Sequence, residues 1–202
     1  MEAALQELGH RDRELGPRLA ALVELVFAWS RRINLTGHRD RDAIARELVL
    51  DALGLASLIP EQVDLVDLGS GAGFPGLPIA LSRPRCRVTL IDSRQKRHHF
   101  QRTAIRELSI HNAEARLGRA ELLTPTPHQI AVARAAGPIE DVVPWILPWL
   151  EPGGILFVPI RTAGRVPEIE GVVPLGLRSY APPLAARERW VWAGSKPASP
   201  SP

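Results

Sequence analysis

Apolar residues recur at three- and four-residue spacing through the first part of the chain. Leu15, Leu19, Leu22, Val26 and Trp29 fall on one face of a helix within residues 2–33, and Ile44, Leu48 and Leu55 repeat the pattern between 40 and 58. The polar connection NLTGHRD at 34–40 can cap the second helix. At Val63 the texture changes. Short apolar runs predict strands at 63–68, 87–92, 113–117, 130–133 and 154–159, and amphipathic segments predict helices at 76–82, 94–108 and 139–150. Candidate strands near 171–175 and at 189–194 suit an antiparallel edge pair. Pro144 and Pro148 punctuate the last helical run, and each removes a backbone donor, so that helix is expected to be kinked or short.

Alternating strands and helices imply an α/β fold, a mostly parallel seven-stranded sheet with helices on both faces. The two helical stretches ahead of the first strand form an N-terminal extension. The expected organisation is a single domain over 1–195, with a helical extension at 1–60 and an α/β core at 61–195. The Pro- and Ser-rich tail at 196–202 is expected to be disordered.

Composition narrows this reading only modestly. The 202 residues are 45 % hydrophobic, enough for a full core, and one cysteine, Cys86, excludes an internal disulfide framework or a multi-cysteine zinc site. No apolar run approaches the roughly 20 residues that span a bilayer, and the charged start of the chain does not read as a signal peptide, so a cytoplasmic protein is expected. The net charge is only +3, but its distribution is uneven. Eight cations (Arg83, Arg85, Arg87, Arg94, Lys96, Arg97, Arg102 and Arg106) fall between 83 and 106 with one acid, Asp92. Such a face attracts a phosphate backbone, although a solvated helix face has the same composition.

The chemistry concentrates at 63–80, VDLVDLGSGAGFPGLPIA: a buried strand, a turn containing Gly69, Gly71 and Gly73, then the start of a helix. The carboxyl end of a parallel strand is where open α/β sheets bind nucleotide-like ligands. Gly71, Gly73 and Gly76 keep the G-x-G-x-x-G spacing, so the loop alone does not exclude a dinucleotide, but no G-x-x-x-x-G-K-[ST] is present. A turn without a phosphate-gripping lysine suits a ligand lacking a pyrophosphate. Asp67 at the start of the loop and Asp92 at the end of the next strand suit S-adenosylmethionine (SAM), the first near its amino-acid moiety and the second accepting from both ribose hydroxyls. Adjacent His98 and His99 cannot face one direction on a helix, and no metal site is expected. Trp145, Trp149, Trp190 and Trp192 read most simply as core or sheet-face packing. Phe74 is the aromatic favoured for contact with a base.

These residues resemble the bacterial 16S ribosomal RNA guanine-N7 methyltransferases, the glucose-inhibited division protein B family. The resemblance rests on NLT at 34–36, LVLDAL at 48–53, VDLGSGAGFPGLPIA from Val66, and TLIDSRQKRHHF from Thr89. It continues through GRAE at 118–121, ARA at 133–135, EPGG at 151–154 and ERWV at 188–191. It implies a class I SAM-dependent methyltransferase with a Rossmann-like sheet. The cofactor-binding residues it implies are Gly69, Gly71, Gly73 and Phe74 in the loop, Asp92 on the ribose, Ala120 and Glu121 at the adenine end, and Arg134 near the substrate opening. The implied partner is 16S rRNA in the 30S subunit, met without a membrane or a metal, and the chain is expected to be a monomer.

The implied reaction is attack of guanine N7 on the SAM methyl group. N7 carries no proton at neutral pH, so no residue is assigned a catalytic role. The chain departs from the family pattern in two places. Glu47 and Leu48 stand where the family carries an Arg-His pair, and Arg161 is the only cation near the position of a family lysine, with Pro159 inside the preceding strand. These departures leave an alternative, a diverged relative that methylates another RNA or a small molecule.

Overall fold

A computed structural model describes residues 1–134, 137–161 and 168–198. Helices α1 (Glu2–Glu7) and α2 (Leu15–Ser30) lead to a longer helical run, α3 (Arg41–Ile44), a π-helical stretch Ala45–Leu50, and α4 (Asp51–Ala56). The Asp40 carboxylate starts this run by accepting from Ala43 N at 2.7 Å. The core then alternates: β1 (Asp64–Leu68), α5 (Gly76–Ser82), β2 (Arg87–Asp92), α6 (Gln95–Glu107), β3 (Ala113–Leu117), β4 (His128–Val132), α7 (Ile139–Ile146), β5 (Leu150–Ile160), β6 (Val173–Tyr180) and β7 (Arg189–Ser195).

The seven strands run in the order β3-β2-β1-β4-β5-β7-β6. The first five are parallel, and β7 pairs antiparallel with both β5 and β6. The predicted strands and core helices are present, but the helical stretch expected over 2–33 is broken into α1 and α2, with Gly9 at φ +74° just past the end of α1. β4 begins at His128 rather than 130, and β5 begins at Leu150, because the EPGG segment already belongs to the strand. The register between β4 and β5 slips there, from His128↔Leu150 to Ile130↔Ile155. Helix α7 is short, ending at Ile146, and a 3-10 turn over Leu147–Trp149 carries Pro148.

Side chains along the central strands alternate between two cores, one on each face of the sheet. Leu65, Val88, Leu90, Ile130 and Val132 join α1, α2, α5 and α6 in the larger core. Val66, Leu68, Ile91, Ala131 and Ala133 join α7, Trp149 and Trp192 in the smaller one. Trp149 and Trp192 are fully buried, which agrees with the packing role expected of them. Pro159 is accommodated in β5 because it lies past the last β4 pair, Val132↔Phe157, where β5 pairs only with β7.

Lys196, expected to open a disordered tail, is fastened to the fold. Its Nζ donates to Leu147 O at 3.0 Å and Leu150 O at 2.7 Å, and its backbone exchanges bonds with Gly153 and Gly154. Residues 199–202 of the tail, and Ala135 of the ARA motif, lie outside the described residues.

The helical extension is tied to the far end of the chain at Gly54. A Cβ there would meet backbone, Pro182 Cα at 2.8 Å and Ala181 O at 3.0 Å. Gly54→Ala is expected to destabilise the protein by about 1–3 kcal/mol through overpacking. Urea denaturation followed by tryptophan fluorescence measures it, and a midpoint equal to that of the parent would contradict this packing.

Candidate functional site

The strand order reverses between β1 and β4, the place where the connections leave toward opposite edges of the sheet and a crevice opens at the carboxyl ends. A cleft of about 220 Å³ lies there. Strand ends line it in turn: Leu68 and Gly69 after β1, Asp92 and Ser93 after β2, Gly118 to Glu121 after β3, and Ala133 after β4, with Trp145 and Ile146 of α7 as the far wall.

Two buried carboxylates hold the glycine loop over this cleft. Asp92, 3 % exposed, accepts from Gly71 N (2.9 Å, Oδ2) and Arg94 N (2.8 Å, Oδ1), and Arg97 Nη1 stands 3.5 Å from Oδ2. Asp67 Oδ2 accepts from Gly76 N at 2.8 Å. Gln101, wholly buried, completes the clamp by donating to Gly71 O and Ser70 Oγ at 2.8 and 2.9 Å. Gly69 has φ +71°, which a side chain rarely adopts, and its N–H bonds Ile91 O at 2.9 Å. A Cβ on Gly76 would overlap Leu90 and approach Asp67 Oδ2 to 2.9 Å, so only glycine lets α5 start this close to β1.

The expected site residues separate into three groups. Gly69, Asp92, Ala120 and Glu121 line the cleft. Gly71, Gly73 and Phe74 shape the loop without lining it. The Phe74 ring is 4 % exposed within the larger core, so the aromatic contact with a base expected of it does not come from this side chain. Arg134 faces a second, adjoining cavity of about 750 Å³, lined by Glu47, Asp51, Arg161, Tyr180 and Arg189 among others. Asp67, expected beside an amino-acid moiety, lines neither cavity. It lies on the apolar face of β1, wholly buried, and its task is to hold Gly76.

The second cavity is built on an ion-pair network that periodicity did not reveal. Arg134 Nη1 donates to Asp51 Oδ2 at 2.7 Å, and Tyr180 Oη donates to Asp51 Oδ1 at 3.0 Å. Arg189 Nη2 reaches Glu47 Oε2 at 2.6 Å, and Arg134 also approaches the Glu47 carbonyl at 3.4 Å. Burial, reinforced by the Asp51 carboxylate, pushes the Tyr180 phenol well above its ordinary pKa, so it remains a donor. The only sequence signal for Asp51 was a lone carboxylate inside the apolar run LVLDALGLA. Glu47 and Leu48 are the positions where the resemblance implied a cationic pair; in the structure Arg189 pairs with Glu47, and Arg161 lines the cavity. The cavity thus retains cationic side chains, supplied from other elements.

The cleft suits a nucleoside with a free ribose. Asp92 uses three of its roughly four acceptor positions on the protein, leaving capacity for a hydroxyl. Small residues (Gly69, Gly118, Ala120 and Ala133) leave room for a flat ring, and the Ala120 carbonyl is already engaged by Trp149 Nε1 at 3.2 Å. Glu121, which Arg119 Nη1 approaches at 3.5 Å, Arg119 itself and backbone N–H groups are the polar groups at that end.

A family model described as rRNA small subunit methyltransferase G matches residues 16–170. Curated proteins named ribosomal RNA small subunit methyltransferase G are similar over most of this chain. The one from Hyphomonas neptunium is 36 % identical over 182 residues, covering 90 % of this chain and 80 % of its own length. The one from Halorhodospira halophila is 36 % identical over 157 residues, covering 77 % and 75 %. Among solved structures, the putative methyltransferase yhhF from Escherichia coli aligns with a TM-score of 0.54 at 18 % identity over 74 % of this chain and 84 % of its own. The [4+2]-cyclase SpnF aligns with a TM-score of 0.60 at 18 % identity over 88 % and 93 %. At such identities these structures establish the fold alone, and a cyclase among them underlines that this fold does not dictate a reaction.

Desolvation raises the Asp67 pKa from 3.8 to about 7, opposed by the Gly76 N–H and Arg134. The folded state therefore favours the protonated acid. That contribution is complete below about pH 4, declines as pH rises, and is lost above about pH 7. Asp67→Asn keeps an acceptor for Gly76 but cannot titrate. Urea unfolding of both proteins between pH 4.5 and 7.5 should show stability falling with pH more steeply in the parent than in the variant. Parallel profiles would refute this assignment.

Proposed function

The chain belongs to the rRNA small subunit methyltransferase G family, and on that basis we propose that it transfers a methyl group from SAM to N7 of a guanine in 16S rRNA. The observation that carries the reading is the cleft at the sheet's reversal point, with Asp92 at its edge and the Arg134–Asp51 pair in the cavity beside it. Family membership supports rRNA over the alternative substrates left open by the departures at Glu47 and Leu48. Retention of cationic side chains in the second cavity supports it further. No described helix is long and apolar enough to cross a membrane, and we place the enzyme in the cytoplasm, acting as a monomer on the 30S subunit.

When bound, SAM supplies a methyl group on a positively charged sulfur, open to in-line attack by a lone pair. The protein's share of the chemistry is alignment and exclusion of water. Asp92 would accept from the ribose, while Ala120 and Glu121 would meet the adenine. Gly69 lets the loop backbone approach without a Cβ in the way. In the adjoining cavity, Arg134 is held by Asp51, and Asp51 by Tyr180, so the wall facing the target base is fixed before it arrives. Guanine N7 needs no general base, so the wall's part is to orient the base and not to move a proton. N7 lies in the deep major groove of A-form RNA, so the target base must be unpaired or flipped out.

With tritiated SAM, label is expected in undermethylated 30S subunits or naked 16S rRNA, mapping to a single guanine whose N7-methyl form is cleaved by aniline after borohydride reduction. Asp92→Ala should weaken SAM binding at least tenfold by calorimetry, since it removes both the ribose acceptor and a loop support. Absence of label in either RNA while SAM still binds the parent would sink the reading.

A further inference from the structure

The expected basic face at 83–106 is divided by the fold. Arg83 pairs with Glu61, Arg87 with Asp64, Arg97 with Asp92 and Arg106 with Glu107. Among the described residues Arg85, Arg94, Lys96 and Arg102 have no carboxylate partner. Arg85 precedes β2 and so sits at the amino end of the strands, away from the cleft. Arg94, Lys96 and Arg102 belong to the start and outer face of α6, which begins directly after Asp92.

A groove of about 570 Å³ runs between these turns of α6 and the end of α2. Lys96, His99 and Arg102 form one side, Trp29 and Ile33 the other, and Leu117, 43 % exposed, closes the end. The half-buried Trp29 ring meets Phe100 edge-on at 5.5 Å and His99 at 5.4 Å, which fixes its orientation. Exposed Arg31 and Arg32 follow Trp29 on the same turn. Among the described residues no carboxylate lines the groove. It is continuous in sequence with the cofactor cleft, because Leu117 lines the groove and Gly118 and Arg119 line the cleft.

A wall combining a held aromatic ring with unpaired cations, open beside the β3 end of the cofactor cleft, has the chemistry of a single-strand nucleic-acid platform: rings stack on bases and cations follow phosphates. Resting on the rRNA reading of the site, we propose that this groove, and not the whole basic face, docks an unpaired stretch of 16S rRNA flanking the target guanine, with one base against Trp29 and its phosphates on Lys96 and Arg102. A target that must be unpaired to expose N7 comes with neighbours that are themselves accessible as a single strand.

The test is equilibrium binding to unmodified 16S rRNA across a series of KCl concentrations, with SAM affinity measured alongside to verify the fold. The double variant Lys96→Ala/Arg102→Ala should bind more weakly and lower the slope of log K against log salt by about 0.7 for each cation removed. Trp29→Leu should weaken binding roughly tenfold with the slope unchanged. Arg85→Ala should move neither quantity. If the parent methylates 16S rRNA but the double variant keeps the parental slope, the groove assignment is overturned and the proposed function stands. Crosslinking of the groove to a ribosomal protein instead of rRNA in 30S subunits would overturn the assignment in the same way. If the parent methylates no rRNA, the function itself falls, and the docking proposal with it.

Discussion

Two carboxylates at the ends of neighbouring parallel strands govern the geometry of the functional end. Asp67 closes β1 and holds Gly76 N, while Asp92 closes β2 and holds Gly71 N and Arg94 N. Between them they pin both ends of the glycine loop and the entry to α6. In the dry space beneath the loop a backbone N–H without a partner would be costly, so each of these bonds excludes alternative loop paths more than it adds net stability. The position of α5, the floor of the cleft and the start of the cationic helix follow from this clamp. The two acids differ in consequence. Asp67 is wholly enclosed and is held toward its neutral form by desolvation, whereas Asp92 stands at the cleft and keeps unused acceptor capacity.

A second constraint joins parts of the chain that lie far apart in sequence. Asp51, in the helical extension, receives Arg134 from the end of β4 and Tyr180 from the end of β6, and Arg189 of β7 reaches Glu47 nearby. The π-helical turn over Ala45–Leu50 places Glu47 and Asp51 along this wall, and irregular helical turns of that kind are frequent at functional positions. The N-terminal helices are therefore part of the functional architecture and supply one side of the second cavity. The same wall gives Glu47 a physical role. The acid meets Arg189 as an ion pair, and the arginines of the cavity come from strands instead of from the helix.

The order of strands and helices was legible from periodicity because each buried face repeats over several residues; apart from the break between α1 and α2 inside the stretch expected to be helical at 2–33, the errors lie at element ends. The glycine loop was legible because Gly69, Gly71 and Gly73 follow an apolar run and precede a helix, a local arrangement that a tight strand-to-helix turn at a ligand edge requires. Aromatic roles were read less well. Phe74 stands beside the loop in sequence yet turns into the core, while Trp29, which periodicity placed on the apolar face of α2, is half exposed at the groove. A hydrophobic pattern identifies the face of a helix but not where that face runs out of neighbours. The basic cluster shows the same limit: its eight charges look equivalent as a string, and only packing reveals which four are already engaged by carboxylates.

Local spacing sufficed for most elements, the loop that ends β1, the acid that ends β2, and through these and their companion motifs the family. Which charged side chains remain free, and which surfaces meet, followed from packing. It joined Asp51, Arg134, Tyr180 and Arg189 into one wall, and it put Leu117 of the docking groove directly before Gly118 and Arg119 of the cleft. Ion pairing and burial are properties of distances in space, and those distances are set by long-range strand pairing and helix packing that no local pattern contains.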